Sequence, residues 1–475
     1  MLMNHTMANK VSWKEKIGWG LGGWADNYTF NVVLILFLYI YVDFFGMDPV
    51  LAGIGLAVPR LFDAITDPII GNWSDNFRSP WGRRRPLIVI GALLCGLLLP
   101  FHWTPPLLDT VKNPWYANGP FLFFCLWGCL YAMAYTVFVV PFTALGFELS
   151  DDYEERTRVL CWRRYLGLCG QFFTPLVYTF SVNPRLFKDI QQGAIVTSSV
   201  AGAVVILLGI MPALCCKENP RGLATQKKPS VFTSLKSAFG NFPFLLQLLG
   251  QMTHIIICGA GSGVAGLLTL HYICRGDAEF NGKIQFLTGT MGSVISMFSL
   301  FFMIRLAKRV GKRSGWFTGM AINILAYLTL IFTYTPKWPY AHLFSMVLIY
   351  LSNQGCGLML DSMCSDICEY EEYRTGRRAE GILSSLRGFI AKTSNAICGI
   401  TCGLTLKFCG YSPELLAQGE IPWNILMKMK TLYITLPILG LAVTMAIFLF
   451  YPLSKEKMAE IHAALEKRER EKAQA

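Results

Sequence analysis

Charge is scarce in this sequence. Only 15% of its 475 residues are Asp, Glu, Lys or Arg, against about a quarter in an ordinary soluble domain. With 53% hydrophobic residues and a mean hydropathy of +0.43, that shortage excludes a water-soluble globular fold. The apolar/polar alternation of a membrane β-barrel is missing as well. The opening stretch from Met1 to Trp13 is polar and has no apolar core with a small-residue cleavage site. No removable signal peptide is therefore expected, and the first hydrophobic helix would direct insertion. A His-rich metal cluster, a nucleophile elbow and a phosphate loop are all lacking, so no enzyme class gains support. Cysteine is not scarce, at 15 residues, but most lie inside apolar blocks, as Cys95, Cys125, Cys129, Cys398 and Cys402 do. The pairs Cys215–Cys216 and Cys364/Cys368 have no second Cys or His cluster to complete a metal site. The cysteines read as small packing residues without a disulfide framework.

What is present is a series of apolar blocks of about 20 residues or more, the length that crosses about 30 Å of hydrocarbon. A chain in lipid must satisfy its own backbone hydrogen bonds, so these blocks are helices. Twelve are expected, near 16–41, 50–73, 86–104, 118–145, 160–182, 193–215, 242–272, 284–306, 314–334, 339–365, 380–408 and 430–452. The net charge of +12 sits in alternate loops: Arg78, Arg83, Arg84 and Arg85 after the second span, Lys308, Arg309, Lys312 and Arg313 after the eighth. By the positive-inside rule the even-numbered loops and both termini are cytoplasmic. Topology thus accounts for the charge, and no nucleic-acid partner is implied. The expected organisation is an all-α membrane protein: a six-helix bundle over 1–216, a cytoplasmic linker over 217–238, a second bundle over 239–453 and a polar tail over 454–475. A glycine followed by a basic cluster recurs in loops 2–3 and 8–9, as in a two-bundle transporter.

The informative residues are ionisable groups inside spans, each costing about 2.5–3.5 kcal/mol at the bilayer centre on insertion scales. Asp26, Asp63 and Asp67 should therefore face an interior cavity. Asp26 lies among Gly18, Gly20, Gly22 and Gly23, which favour close helix approach. Asp63 and Asp67 share one helix face. They can supply oxygens to a hard cation, share a proton, or pair with Arg60. Pro68 would loosen that helix. Lys392 lies deep in its span. Arg163 and Arg164 open the fifth span, one directed inward and the other snorkelling. Asp361 and Asp366 lie near a cytoplasmic end, where a gating ion pair and a substrate role are equally open. His254 reads as a satisfied interior histidine or a proton relay. Trp24, Tyr28, Trp127, Tyr131 and Tyr135 could offer a stacking surface for a sugar ring.

The stretch Arg60-Leu-Phe-Asp-Ala-Ile-Thr-Asp-Pro, running on to Trp81-Gly-Arg-Arg-Arg-Pro, resembles the signature of the glycoside–pentoside–hexuronide:cation symporters, relatives of the melibiose permeases. The segments from Pro141 to Arg158 and from Asp366 to Gly381 are similar to that family's helix 4–5 and loop 10–11 motifs, and Lys392 falls at its helix 11 lysine. The resemblance implies a major facilitator fold of 12 helices in two six-helix bundles. It also implies cation-coupled symport of a sugar or glycoside by alternating access. It assigns Asp63, Asp67 and Thr136 to the cation, and Asp26 with Arg163 or Arg164 to the sugar. Tyr28, Thr143 and Lys392 are counted with the substrate site, and Asp75, Arg83, Arg84, Asp361 and Asp366 with cytoplasmic gates. Val139 stands where melibiose permeases carry a further acid, and Thr143 where they carry a stacking tryptophan. Na⁺ and H⁺ thus both stay open as coupling ion, and the sugar is undefined. A plasma or bacterial inner membrane, action as a monomer and no cofactor beyond the ion are expected. The alternative substrate is a non-sugar amphiphile such as a lysophospholipid, which some relatives of this fold move.

Overall fold

The computed structural model describes residues 11–106, 115–150, 153–218, 240–376, 380–412, 415 and 421–474. Among them, regular structure is entirely helical. In the first half α1 is Trp13–Phe37, prolonged by a π-helical stretch Leu38–Phe44. It is followed by α2 Pro49–Asn76, α3 Arg85–Leu98, α4 Gly119–Glu148, α5 Tyr153–Ser181 and α6 Ile190–Cys215. In the second half α7 begins at Phe242–Thr253 and continues through π-helical and short α-helical pieces to Ile273. Then come α8 Ala278–Val310, α9 Lys312–Thr333, α10 His342–Thr375, α11 Glu380–Cys409, α12 Trp423–Leu449 and a tail helix, α13 Lys455–Gln474. Short polar side chains fix many of the starts. Ser12 and Glu15 form a reciprocal capping box on α1, and Asp48, Asn118, Asp189 and Asn241 cap α2, α4, α6 and α7. Each takes a backbone N–H that would otherwise be left without a partner.

Ten of these helices are long and apolar enough to cross a membrane. The two others of comparable length, α5 (29 residues) and α11 (30 residues), carry Arg163, Arg164, Arg387 and Lys392. The candidate site residues Arg163, Arg164 and Lys392 are thus among the charges that lower their hydropathy. Large apolar side chains on the outer faces, such as Phe332, Phe408 and Phe298, are exposed, as a surface solvated by lipid tails requires.

Helix pairings in the first half recur six helices later. Helix α1 packs on α5 and α6, and α3 on α4 and α6; likewise α7 packs on α11 and α12, and α9 on α10 and α12. The closest approaches are made at glycines. A Cβ on Gly18 would lie 2.3 Å from the Cys215 Cβ, on Gly20 2.5 Å from Leu166, and on Gly22 2.4 Å from Pro212.

Two compact units result: 1–226 with 269–293 and 411–421, and 227–268 with 294–410 and 422–475. The expected linker lies mostly outside the described residues. Several helices outrun the expected spans. Helix α5 starts at Tyr153 and α10 ends at Thr375, because hydropathy marks only the part inside lipid while the helix continues into water. Pro68 does not break α2. The proline removes one backbone bond, and packing against α4 holds the helix continuous across it. The tail is helical, with Met458 and Ile461 buried and His462 ion-paired to Glu369.

Candidate functional site

In the first unit Asp26 sits half-buried on α1 between two donors. Arg163 Nη2 of α5 reaches its Oδ2 at 2.9 Å, and the Tyr135 hydroxyl of α4 donates to Oδ1 at 2.7 Å. The guanidinium also lies 5.0 Å from the Phe142 ring centroid and 5.5 Å from that of Trp19. The register between the adjacent arginines is thereby settled: Arg163 turns inward, and Arg164 is exposed. Gly23 makes the approach possible, since a Cβ there would stand 2.6 Å from Arg163 Cγ. Breaking a buried ion pair by removing one partner costs about 3–5 kcal/mol, because it strands the other charge. The neighbouring polar groups of α1 are used differently. Asn27, Thr29 and Asn31 bond back to the carbonyls of Gly23, Ala25 and Asn27 of their own helix. Tyr28 is buried and Thr143 half-buried.

Asp63 of α2 is fully buried. The Thr136 hydroxyl of α4 lies 2.7 Å from its Oδ1, and Thr66 is 3.4 Å from the same hydroxyl. Asp67, one turn further along α2, is half-buried. Arg60 is placed with its guanidinium 3.4 Å from the Phe30 ring centroid. The two acid sites therefore meet on consecutive residues of one helix: Tyr135 holds Asp26, and Thr136 holds Asp63. Of the other aromatics, Trp24 stacks on Phe173, Trp127 donates to the Leu98 carbonyl and Tyr131 to the Thr29 carbonyl. These three serve packing.

The basic loop after α2 is a dense ion cluster. Arg83 and Arg84 both bind Glu148 Oε1, at 2.7 and 2.9 Å, and Arg84 also reaches Asp75 at 3.2 Å. Glu218, which the sequence reading did not single out, accepts the backbone N–H groups of Arg83, Arg84 and Arg85 at 2.8, 2.8 and 3.0 Å. Burial pushes the Glu148 carboxyl up, against the pull of Arg84 and Arg83. At Glu218 burial also pushes upward, but the three N–H donors and Arg83 outweigh it, and the carboxyl lies below the usual glutamate range. In the second unit Asp361 pairs with Arg387 at 2.5 Å and Asp366 with Lys312 at 2.6 Å. Lys392 is half-buried on α11. The partner Arg387 was missed because it lies near the start of a charged helix with no local sign of its target.

A further cluster in the first unit was not legible at all. Asp43 Oδ1 accepts from the Tyr411 hydroxyl at 3.0 Å and lies 3.0 Å from His271 Nε2. Beside it, Asn281 donates to Tyr178 at 2.7 Å and Gln285 to Tyr39 at 3.1 Å. These side chains are neutral or singly charged and come from segments hundreds of residues apart, so no spacing announces them.

Residues 18–455 match the family described as MFS/sugar transport protein. The chain belongs to that family. It is a multi-pass integral membrane transporter of the major facilitator superfamily, not an enzyme. The chain is 24% identical over 471 residues to a glucuronide carrier protein homolog of Escherichia coli strain K12, covering 98% of each chain. It is 23% identical over 459 residues to the isoprimeverose transporter of Lactiplantibacillus pentosus, covering 94% of this chain and 90% of that one. The crystal structure of a D-xylose–proton symporter superposes with a TM-score of 0.63 at 15% identity, over 93% of this transporter and 98% of that chain. At that identity the superposition speaks for the fold alone.

Proposed function

We propose that this transporter carries a sugar or glycoside across the membrane together with Na⁺ or H⁺, by alternating access, as a monomer with both termini cytoplasmic. One observation carries the reading: adjacent residues of α4 grip the two acids, Tyr135 on Asp26 and Thr136 on Asp63. A cation at Asp63 and Asp67 neutralises α2 beside α4 and fixes Thr136. The next residue, Tyr135, is then fixed in turn, and with it the orientation of Asp26 toward a hydroxylated substrate. Arg163 donates to the same substrate. Lys392 contributes from α11. Each ligand thus stabilises the conformer the other binds, which is what coupling requires. The names of the two relatives, a glucuronide carrier homolog and an isoprimeverose transporter, support a carbohydrate substrate. The ion pairs of Arg83 and Arg84 with Glu148 and of Arg84 with Asp75, and those of Asp361 and Asp366 in the second unit, act as cytoplasmic latches.

The test is uptake of a panel of radiolabelled sugars and glycosides into proteoliposomes, under a Na⁺ gradient or a pH gradient imposed separately. Accumulation driven by one gradient and lost in Asp63→Asn is the expected result. Uptake that ignores both gradients would overturn symport. Absence of any sugar uptake would turn the assignment to an amphiphilic substrate.

A further inference from the structure

The second unit holds a polar cavity that none of the roles above uses. Its origin is the irregular course of α7. After Thr253 the helix widens into a π-helical turn, His254–Cys258, resumes at Gly259–Ser262, and breaks before Ala265. The cause is local sequence. Three isoleucines crowd the widened turn, and Gly259, Gly261 and Gly263 follow it. A Cβ at Gly259 or Gly263 would meet the Sγ of Cys398 or Cys402 at 2.3 or 2.4 Å. The backbone therefore presses on α11 and turns a row of side chains the other way.

That row is His254, Cys258 and Ser262, spaced four apart on one face. With Asn323 and Tyr327 of α9 and Asn353 of α10 it encloses about 230 Å³, well above the share of about 30 Å³ that one water takes. The lining is already organised by its own bonds. The Ser262 and Tyr327 hydroxyls are 3.1 Å apart, and Asn323 Nδ2 donates to Asn353 Oδ1 at 2.9 Å. Asn353 is exposed at the mouth. Asn323 is 1% exposed, and its Oδ1 is buried with no hydrogen-bond partner. Beside a polar cavity, a buried acceptor left unpaired marks where the lining can re-form its bonds around an occupant.

The chemistry of that occupant is constrained. No Asp, Glu, Lys or Arg lines the cavity, so it offers no opposite charge to a cation or to a carboxylate. It offers amide, hydroxyl, phenol and imidazole groups beside the apolar Ile255 and Leu441. Such a mixture suits a neutral ring bearing hydroxyl groups, with its C–H face on the aliphatic side. We infer that this cavity is a hydroxyl-recognising subsite for a neutral sugar moiety, with the amides of Asn323 and Asn353 exchanging their mutual bond for bonds to substrate hydroxyls. The inference rests on the carbohydrate reading above and adds a place where one sugar is told from another. His254, its Nδ1 3.7 Å from Cys258 Sγ, is on this reading a lining group and not a relay.

The experiment pairs cavity variants with substrates that lack single hydroxyls. Uptake of D-glucose, D-xylose and methyl β-D-glucoside, each with its monodeoxy analogues, is measured for wild type, Asn323→Leu, Asn353→Ala and Tyr327→Phe, with Asp26→Asn in parallel. Wild type should discriminate against one deoxy position by about three- to tenfold in Vmax/KM, the worth of one neutral hydrogen bond. Asn323→Leu should abolish that discrimination for that position alone while the others persist. Should Asn323→Leu fail to fold, judged by its melting temperature in detergent, Asn353→Ala and Tyr327→Phe carry the comparison. Unchanged deoxy discrimination in the folded cavity variants would overturn the subsite and leave a water-filled space, with the carbohydrate reading intact if Asp26→Asn still abolishes uptake. No saturable uptake of any sugar by wild type would overturn both.

Discussion

The two units solve the problem of a polar interior in opposite ways. In the first, a full charge is met by a full charge: Asp26 by Arg163 at 2.9 Å, with Tyr135 as second donor. In the second, α7, α9 and α10 surround a cavity whose polar groups are amides, hydroxyls and an imidazole, with no Asp, Glu, Lys or Arg among them. The charged arrangement is strong and unforgiving, because loss of one member leaves the other stranded in a medium of low dielectric. The neutral arrangement is weaker at each bond, and its partners can exchange one donor for another at small cost. On the proposals above, the first commits the transporter to its class of substrate and the second chooses within the class.

The contrast can be broken first at its strong end. Asp26→Asn should lower Vmax/KM for sugar by about 100- to 1000-fold, the equivalent of about 3–4 kcal/mol for an orphaned, half-buried guanidinium. Proteoliposome uptake checks this, and near-normal uptake would remove Asp26 from the substrate site. Next come the two donors on α4. Tyr135→Phe should raise the sugar KM by about 10- to 100-fold, since hydrogen bonds to charged groups are worth about 1.5–3 kcal/mol. Thr136→Val should weaken the cation by a similar factor instead. Measuring sugar KM and cation half-saturation for both variants would show whether the effects separate; identical shifts would mean one merged site. The neutral cavity comes after these, with the three- to tenfold effects given above.

The smallest effect is expected at Glu218. Its carboxyl is held below the ordinary glutamate value of 4.5 in the folded protein, so the stabilisation it gives is present above that value. It is lost as pH falls through the lowered pKa. Glu218→Gln should lower the melting temperature at pH 7, and the gap between wild type and variant should close as the pH is taken below about 4. A gap independent of pH would show that ionisation of Glu218 contributes nothing.

How much of this was legible beforehand follows the same division. Asp26, Asp63 and Asp67 stand out in any reading because a charge inside an apolar block is costly and must have a reason. The basic loops are visible because topology collects Lys and Arg on one side. Arg163 could be told from Arg164 only once α5 was docked against Gly23, since the choice is one of helix rotation. Asn323, Asn353 and Ser262 gave no signal, because an amide or hydroxyl within a span costs little and has no fixed partner spacing. The cavity arises from the π-helical turn at His254–Cys258, and nothing in the isoleucines and glycines there says how many residues the turn will hold. The Asp43–His271–Tyr411 cluster is non-local for the same reason.

The glycine row of α1 has a mechanical consequence. With Gly18, Gly20, Gly22 and Gly23 pressed against Cys215, Leu166, Pro212 and Arg163, α1 is held close against α5 and α6 over about one and a half turns. Close-packed matter of this kind is hard to compress and passes strain along its length. Rotating α1 by even a fraction of a turn would drive side chains into those backbones. The three helices are therefore expected to move as one stiff unit, with Asp26 carried just beyond the clamped stretch.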